Sequence, residues 1–134
     1  MTERKGPRPP VILVVDDEAL LRELASEHFE DAGYEVIEAE NGAAALSAIQ
    51  ARPDIRAVFT DVQMPGPPDG IALARTVHEA SPHCAIVVVS GRALPERGAL
   101  AEGVRFVTKP YAGADIVRMV SEMIGHDGQP ATSG

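Results

Sequence analysis

The chain has no tryptophan, and aromatic residues make up only 4% of its 134 positions. Its core therefore has to be filled by Val, Ile, Leu and Ala rather than by large rings. A single cysteine, Cys84, excludes an internal disulfide. Its place at the head of an apolar run points to a buried, inert thiol rather than a redox sensor. No stretch approaches the ~20 consecutive apolar residues of a membrane span, and no signal-peptide pattern opens the chain. A cytoplasmic protein without a membrane partner is expected. Basic residues are also few: 12 Lys and Arg stand against 20 Asp and Glu, for a net charge of −8. That balance argues against a nucleic-acid surface. The small cluster of Arg4, Lys5 and Arg8 reads as a solvated tail.

What is present is a β-α alternation. A composition of 45% hydrophobic and 24% charged residues is globular, and the length fits one domain with a real core. Residues 1–10 read as a flexible leader, 11–125 as the folded domain and 126–134 as a polar, flexible tail. Apolar, β-branched runs at about 11–15, 55–60, 84–89 and 104–108 predict strands buried on both faces. Tyr34–Glu38 predicts a strand with one wetter face. Helices are predicted over about 18–32, 42–51, 71–80 and 112–124. In the first, Leu21, Leu24, Ala25 and His28 fall on one face, and Gly33 terminates it. Ala45, Leu46 and Ile49 form the buried side of the second, and Ile116, Val120, Met123 and Ile124 that of the last. Met64–Gly70, with three prolines and two glycines, is a loop, and 91–103 leaves room for a short helix at most. Five alternations imply a parallel α/β sheet with right-handed crossovers.

Four of the strands end on reactive groups. Asp16 and Asp17 follow Val11–Val15, Asp61 follows Val58–Thr60, Ser90 follows Ala85–Val89, and Lys109 follows Val104–Thr108. The second strand ends in Glu38-Ala39-Glu40-Asn41 and need not contribute. In the flavodoxin-like order 2-1-3-4-5 that strand lies at an edge, the other four are contiguous, and the ligand crevice opens between the first and third. Three carboxylates gathered there repel one another and call for a cation. Magnesium, a hard ion that takes oxygen ligands and keeps some water, suits them. A metal-activated Asp61 can attack phosphorus and hold an acyl phosphate. Lys109 and the Ser90 hydroxyl can then meet the charge on the phosphoryl oxygens. Each group has a plainer reading alone: Asp17 as a helix cap, Ser90-Gly91 as a turn, Lys109 as a solvated lysine. Their convergence at one sheet edge carries the inference. His28, His78, His83 and His126 show no ligand spacing and read as surface or packing residues, while Met119 and Met123 belong to the core.

The motifs Val-Val-Asp-Asp-Glu (14–18), Asp-Val-Gln-Met-Pro (61–65), Asp-Gly (69–70), Val-Val-Ser-Gly (88–91) and Lys-Pro-Tyr (109–111) stand in the order found in the CheY-like receiver domains of two-component response regulators. The chain resembles that family over about 11–125. The resemblance implies a phosphoacceptor at Asp61 and magnesium held by Asp17, Asp61 and the Gln63 main-chain carbonyl, with Asp16 acting mainly through water. It implies that Ser90 bonds the phosphoryl group, that Lys109 pairs with it, and that Phe106 is the aromatic switch. It also implies a cis bond before Pro110. Partners would be a sensor histidine kinase or histidine phosphotransfer protein, docking on the first helix at Leu20, Leu21 and Leu24, and a downstream protein. Such a domain is not an enzyme toward other molecules; it catalyses only its own phosphorylation and dephosphorylation.

The chain departs from the family pattern in three places. The loop after Met64 is slightly long, the helix between the fourth and fifth strands is short or missing, and Phe106 lacks the hydroxyl of a tyrosine. Gln63 and Arg92 stand where the family tunes phosphoryl lifetime. With no room for an output domain, a stand-alone switch is expected, acting by protein contact, phosphorelay or as a phosphate sink. A haloacid-dehalogenase-like phosphatase is the enzyme alternative. It needs an acid two residues after its nucleophile, and Gln63 cannot serve. A flavin-binding module would need a phosphate-cradling loop where Asp16-Asp17-Glu18 stands. An unphosphorylated receiver-like scaffold is the third alternative.

Overall fold

The computed structural model describes residues 9–64, 66–91 and 103–125. The expected leader up to residue 8, the tail from 126, Arg92 and the expected short helix before the fifth strand lie outside the described residues. The elements run β1 (Val11–Val15), α1 (Ala19–Asp31), β2 (Glu35–Ala39), α2 (Gly42–Ala51), β3 (Ile55–Asp61), α3 (Gly70–Ala80), β4 (Ala85–Ser90), β5 (Val104–Thr108) and α4 (Gly113–Ile124). The five strands form one parallel sheet in the order β2-β1-β3-β4-β5. That is the flavodoxin-like order expected from the strand ends.

Strand alternation divides the core between the two faces. Leu13, Val15, Val58, Ile86 and Val88 pack against Ala45 of α2 and Leu73, Ala74 and Val77 of α3. Ile12, Val14, Phe59, Val87 and Val89 pack against Ala25 and Phe29 of α1 and Ile116 and Val120 of α4. The few aromatic rings are concentrated on this second face. Tyr34, Phe29, Phe59 and Tyr111 form a chain of edge-to-face contacts with centroids 6.0, 5.7 and 5.7 Å apart. At its far end the Tyr34 hydroxyl and Ser121 Oγ are hydrogen-bonded. Phe106 stands apart, half-buried on the α2/α3 face.

The predicted face of α1 is rotated. Its buried residues are Ala25, Ser26 and Phe29, with Arg22 completing the inward stripe half-buried. His28 is exposed, and Leu20 and Leu24 are 67% and 46% accessible. Leucine periodicity picked the wrong side because Phe29 fills more of the core than either leucine and anchors the helix against Phe59 and Tyr34. The stripe of α4 holds, with Ile116 and Val120 fully buried and Met123 and Ile124 packed at its margin. In α2 only Ala45 of the predicted trio is fully buried; Leu46 and Ile49 are half-buried. The second strand begins one residue later than predicted, because Tyr34 turns inward ahead of it.

Local chemistry sets the element ends. Gly33 follows α1 with φ +97°, where a side chain would be strained. The Asn41 and Asp69 side chains accept hydrogen bonds from Ala44 N (2.8 Å) and Ala72 N (2.9 Å), capping α2 and α3. Cys84 is buried, and burial pushes its thiol up to about 12, so it stays protonated and unreactive near neutral pH.

Candidate phosphoryl and metal site

The carboxyl ends of β1, β3, β4 and β5 meet as predicted. Asp16 and Asp17 lie just past β1, and Asp61 ends β3. Oxygen atoms of these three carboxylates lie within 4.8 Å of one another. A cleft of about 460 Å³ opens above them, lined by Asp17, Glu18, Asp61, Gln63, Gly91 and Lys109.

Asp61 is clamped by two donors. Its Oδ2 accepts from Lys109 Nζ at 3.1 Å, and its Oδ1 accepts from Gln63 N at 3.2 Å. Its side chain is only 11% exposed. Behind it the backbone is fixed by Gly70, whose N–H donates to Val62 O at 2.9 Å. A Cβ at Gly70 would come within 2.1 Å of Asp61 O. Only glycine lets the start of α3 pass this close to the end of β3. The Asp69-Gly70 pair thus combines a helix cap with a close approach.

The charges respond to this crowding. Burial pushes the Asp16 carboxyl up; a hydrogen bond from Glu18 N (2.9 Å) opposes this, and the negative charges of Asp61 and Asp17 reinforce it. Burial alone would lower the Lys109 ammonium, but its bond to Asp61 and the nearby acids leave it raised. Burial likewise raises the Tyr111 hydroxyl, which feels Lys109, Asp16 and Asp61. Three hard oxygen donors beside the Lys109 ammonium suit a magnesium ion, whose two charges would relieve the repulsion.

Ser90 ends β4 and is 3% exposed, so Gly91 rather than its hydroxyl lines the cleft. The two last strands are held in step by Lys109 N donating to Ser90 O at 2.9 Å. Phe106 does not touch the cleft. It pairs with Val88 in register, as Thr108 pairs with Ser90, so Ser90 and Phe106 share the α2/α3 face. The Lys109–Pro110 bond is cis, as expected, and so is Pro67–Pro68. Of the three leucines, Leu20 and Leu24 are exposed on α1 and Leu21 is half-buried.

The sequence profile of the response regulator receiver domain matches residues 12–121. The chain belongs to the response regulator receiver domain family. Over 117 residues it is 32% identical to the response regulator receiver protein CpdR of Brucella abortus, covering 84% of this chain and 95% of CpdR. It is 33% identical over 116 residues to the transcriptional regulatory protein ResD of Bacillus subtilis, but spans only 47% of that protein. Several relatives it matches are thus about twice as long as the shared region. Among solved structures, a response regulator receiver protein from Sinorhizobium medicae superposes with a TM-score of 0.81 at 31% identity, over 87% of this chain and 95% of that one. The receiver domain belongs to two-component signalling, and no described helix is long and apolar enough to cross a membrane.

Sequence reading passed over Arg22. It is the inward-facing base of α1, and its guanidinium reaches Asp16 O and Glu38. The available signal was a basic residue on the same helical stripe as Ala25, Ser26 and Phe29.

Proposed function

We propose that this receiver domain is a phosphoacceptor switch, with residues 11–125 as the switching unit in the cytoplasm. Asp61 takes a phosphoryl group from a histidine kinase or histidine phosphotransfer protein. The product acts by protein contact, phosphorelay or as a phosphate sink. The observation that carries this reading is the clamped geometry of Asp61, held by Lys109 and Gln63 N beside two further carboxylates.

The chemistry is a displacement at phosphorus. An Asp61 oxygen forms the new P–O bond as the P–N bond of a phosphohistidine breaks, and the imidazole departs with the electron pair and takes up a proton. Water later returns Asp61 to the carboxylate and releases inorganic phosphate. Asp17, Asp61 and the Gln63 main-chain carbonyl would hold magnesium directly, with Asp16 acting through water. When bound, the ion supplies positive charge to the phosphoryl oxygens. Lys109 would shift from the Asp61 carboxylate to the phosphoryl group, and the Ser90 hydroxyl would turn toward it. That movement opens space on the face Ser90 shares with Phe106, so the ring can follow. Such a step biases an existing two-state equilibrium rather than creating a new state.

The test is intact mass after incubation with acetyl phosphate. A single phosphoryl adduct that forms with magnesium and not with a chelator supports the switch. No adduct under either condition, despite measurable magnesium binding, moves the reading to an unphosphorylated scaffold.

The exposed pair Leu20 and Leu24 is the proposed kinase-docking patch, and half-buried Leu21 is the weaker member of the original trio. Replacing Leu20 and Leu24 together by Ala is expected to slow phosphotransfer from a cognate histidine donor at least about tenfold, the effect of losing roughly 1.4 kcal/mol of contact. Labelling by acetyl phosphate should be unchanged. Equal slowing with both donors would remove the patch from the docking surface.

A further inference from the structure

A charged side chain on the inward stripe of a helix needs a reason, because burial without partners is expensive. Arg22 is on the inward stripe of α1, with its side chain only 18% exposed. It has two partners. Nη1 donates to the Asp16 main-chain carbonyl at 2.8 Å, and Nε donates to Glu38 Oε1 at 3.0 Å. One guanidinium thus joins the end of β1, the first turns of α1 and the end of β2. Asp16 is held from two further sides, its N–H donating to Ala39 O at 3.2 Å and its Oδ1 accepting from Glu18 N at 2.9 Å. Asp17 has no hydrogen bond of its own among the described residues and is exposed, so the direction of its carboxylate depends on the main chain that Arg22 holds. Glu38 offsets the arginine charge, which lets the guanidinium sit beside a cation site with little repulsion.

We infer that Arg22 is a positioning residue for the metal site: through the Asp16 carbonyl it fixes the Asp16-Asp17 turn so that both carboxylates converge with Asp61. This rests on the magnesium reading above. A residue that orients ligands from behind typically contributes 10- to 100-fold to metal affinity. The fork geometry matters, because a lysine presents one point charge and cannot hold two acceptors along fixed directions.

The experiment is calorimetric titration of magnesium into the native protein, Arg22→Ala, Arg22→Lys and Glu38→Gln, with thermal midpoints measured in chelator. Arg22→Ala is expected to weaken magnesium binding about tenfold. Arg22→Lys should recover part of the loss, and Glu38→Gln should lose less than Arg22→Ala because the bond to Asp16 O remains. The rate of adduct formation from acetyl phosphate should need about tenfold more magnesium in Arg22→Ala yet reach the native maximum, since Asp61 and Lys109 are untouched. If native protein binds magnesium and the folded variants bind it equally well, the inference is overturned and the magnesium reading stands. If native protein binds none, both fall. Should Arg22→Ala fail to fold, Arg22→Lys decides: native-like affinity overturns the positioning role, and weakened affinity with a native midpoint supports it.

Discussion

Asp61→Asn will take up no phosphoryl group from acetyl phosphate in the presence of magnesium, and its intact mass will stay that of the unmodified chain. The substitution keeps the shape of the side chain and most of its hydrogen bonding, because Oδ1 can still accept from Gln63 N. It removes the anionic nucleophile, one of the three metal-facing carboxylates, and the charge that pairs with Lys109. An amide is too poor a nucleophile to replace a carboxylate at phosphorus. The loss should therefore be complete within detection, while the far-ultraviolet spectrum remains native. An adduct on the variant would move the nucleophile elsewhere, with exposed Asp17 the next candidate.

Phe59→Ala will cost about 3–5 kcal/mol of stability. Folded domains of this size have about 5–15 kcal/mol in total. Phe59 is central in β3 and contacts both Phe29 and Tyr111 edge-on, so its removal leaves a cavity and takes away two ring contacts. Phe106→Ala removes an equal volume from a half-buried position on the other face and should cost about half as much or less. Urea unfolding measures both, read as the shift in midpoint at constant slope. If Phe106→Ala proves as damaging as Phe59→Ala, the rings are not distributed as the burial pattern states.

The sheet and its reactive edge were legible because both depend on short-range signals. A both-faces-buried strand must be apolar throughout, and Val11–Val15 and Ala85–Val89 can hardly be anything else. A polar residue that ends such a run marks the sheet edge, so Asp16, Asp61, Ser90 and Lys109 could be assigned to one place without knowing a single distance. The rotation of α1 was not legible. Arg22, Ala25, Ser26 and Phe29 make a poor apolar stripe, and Leu21, Leu24 and Ala25 a better one. Packing chose the poorer stripe because Phe29 meets Phe59, and Arg22 finds acceptors that only exist once β1 and β2 are paired. The close approach at Gly70 was likewise invisible, since Asp69-Gly70 reads equally well as an ordinary turn.

The shortage of aromatic residues gives the fold a native optical label. With no tryptophan, emission excited beyond the phenylalanine absorption band comes from Tyr34 and Tyr111 alone. Tyr34 is buried and bonded to Ser121, far along the ring chain from the cleft. Tyr111 is half-buried within the electrostatic reach of Asp16, Asp61 and Lys109. Tyr111 is thus the ring placed to sense the reactive edge, and magnesium titrated into the unlabelled chain is expected to change its emission.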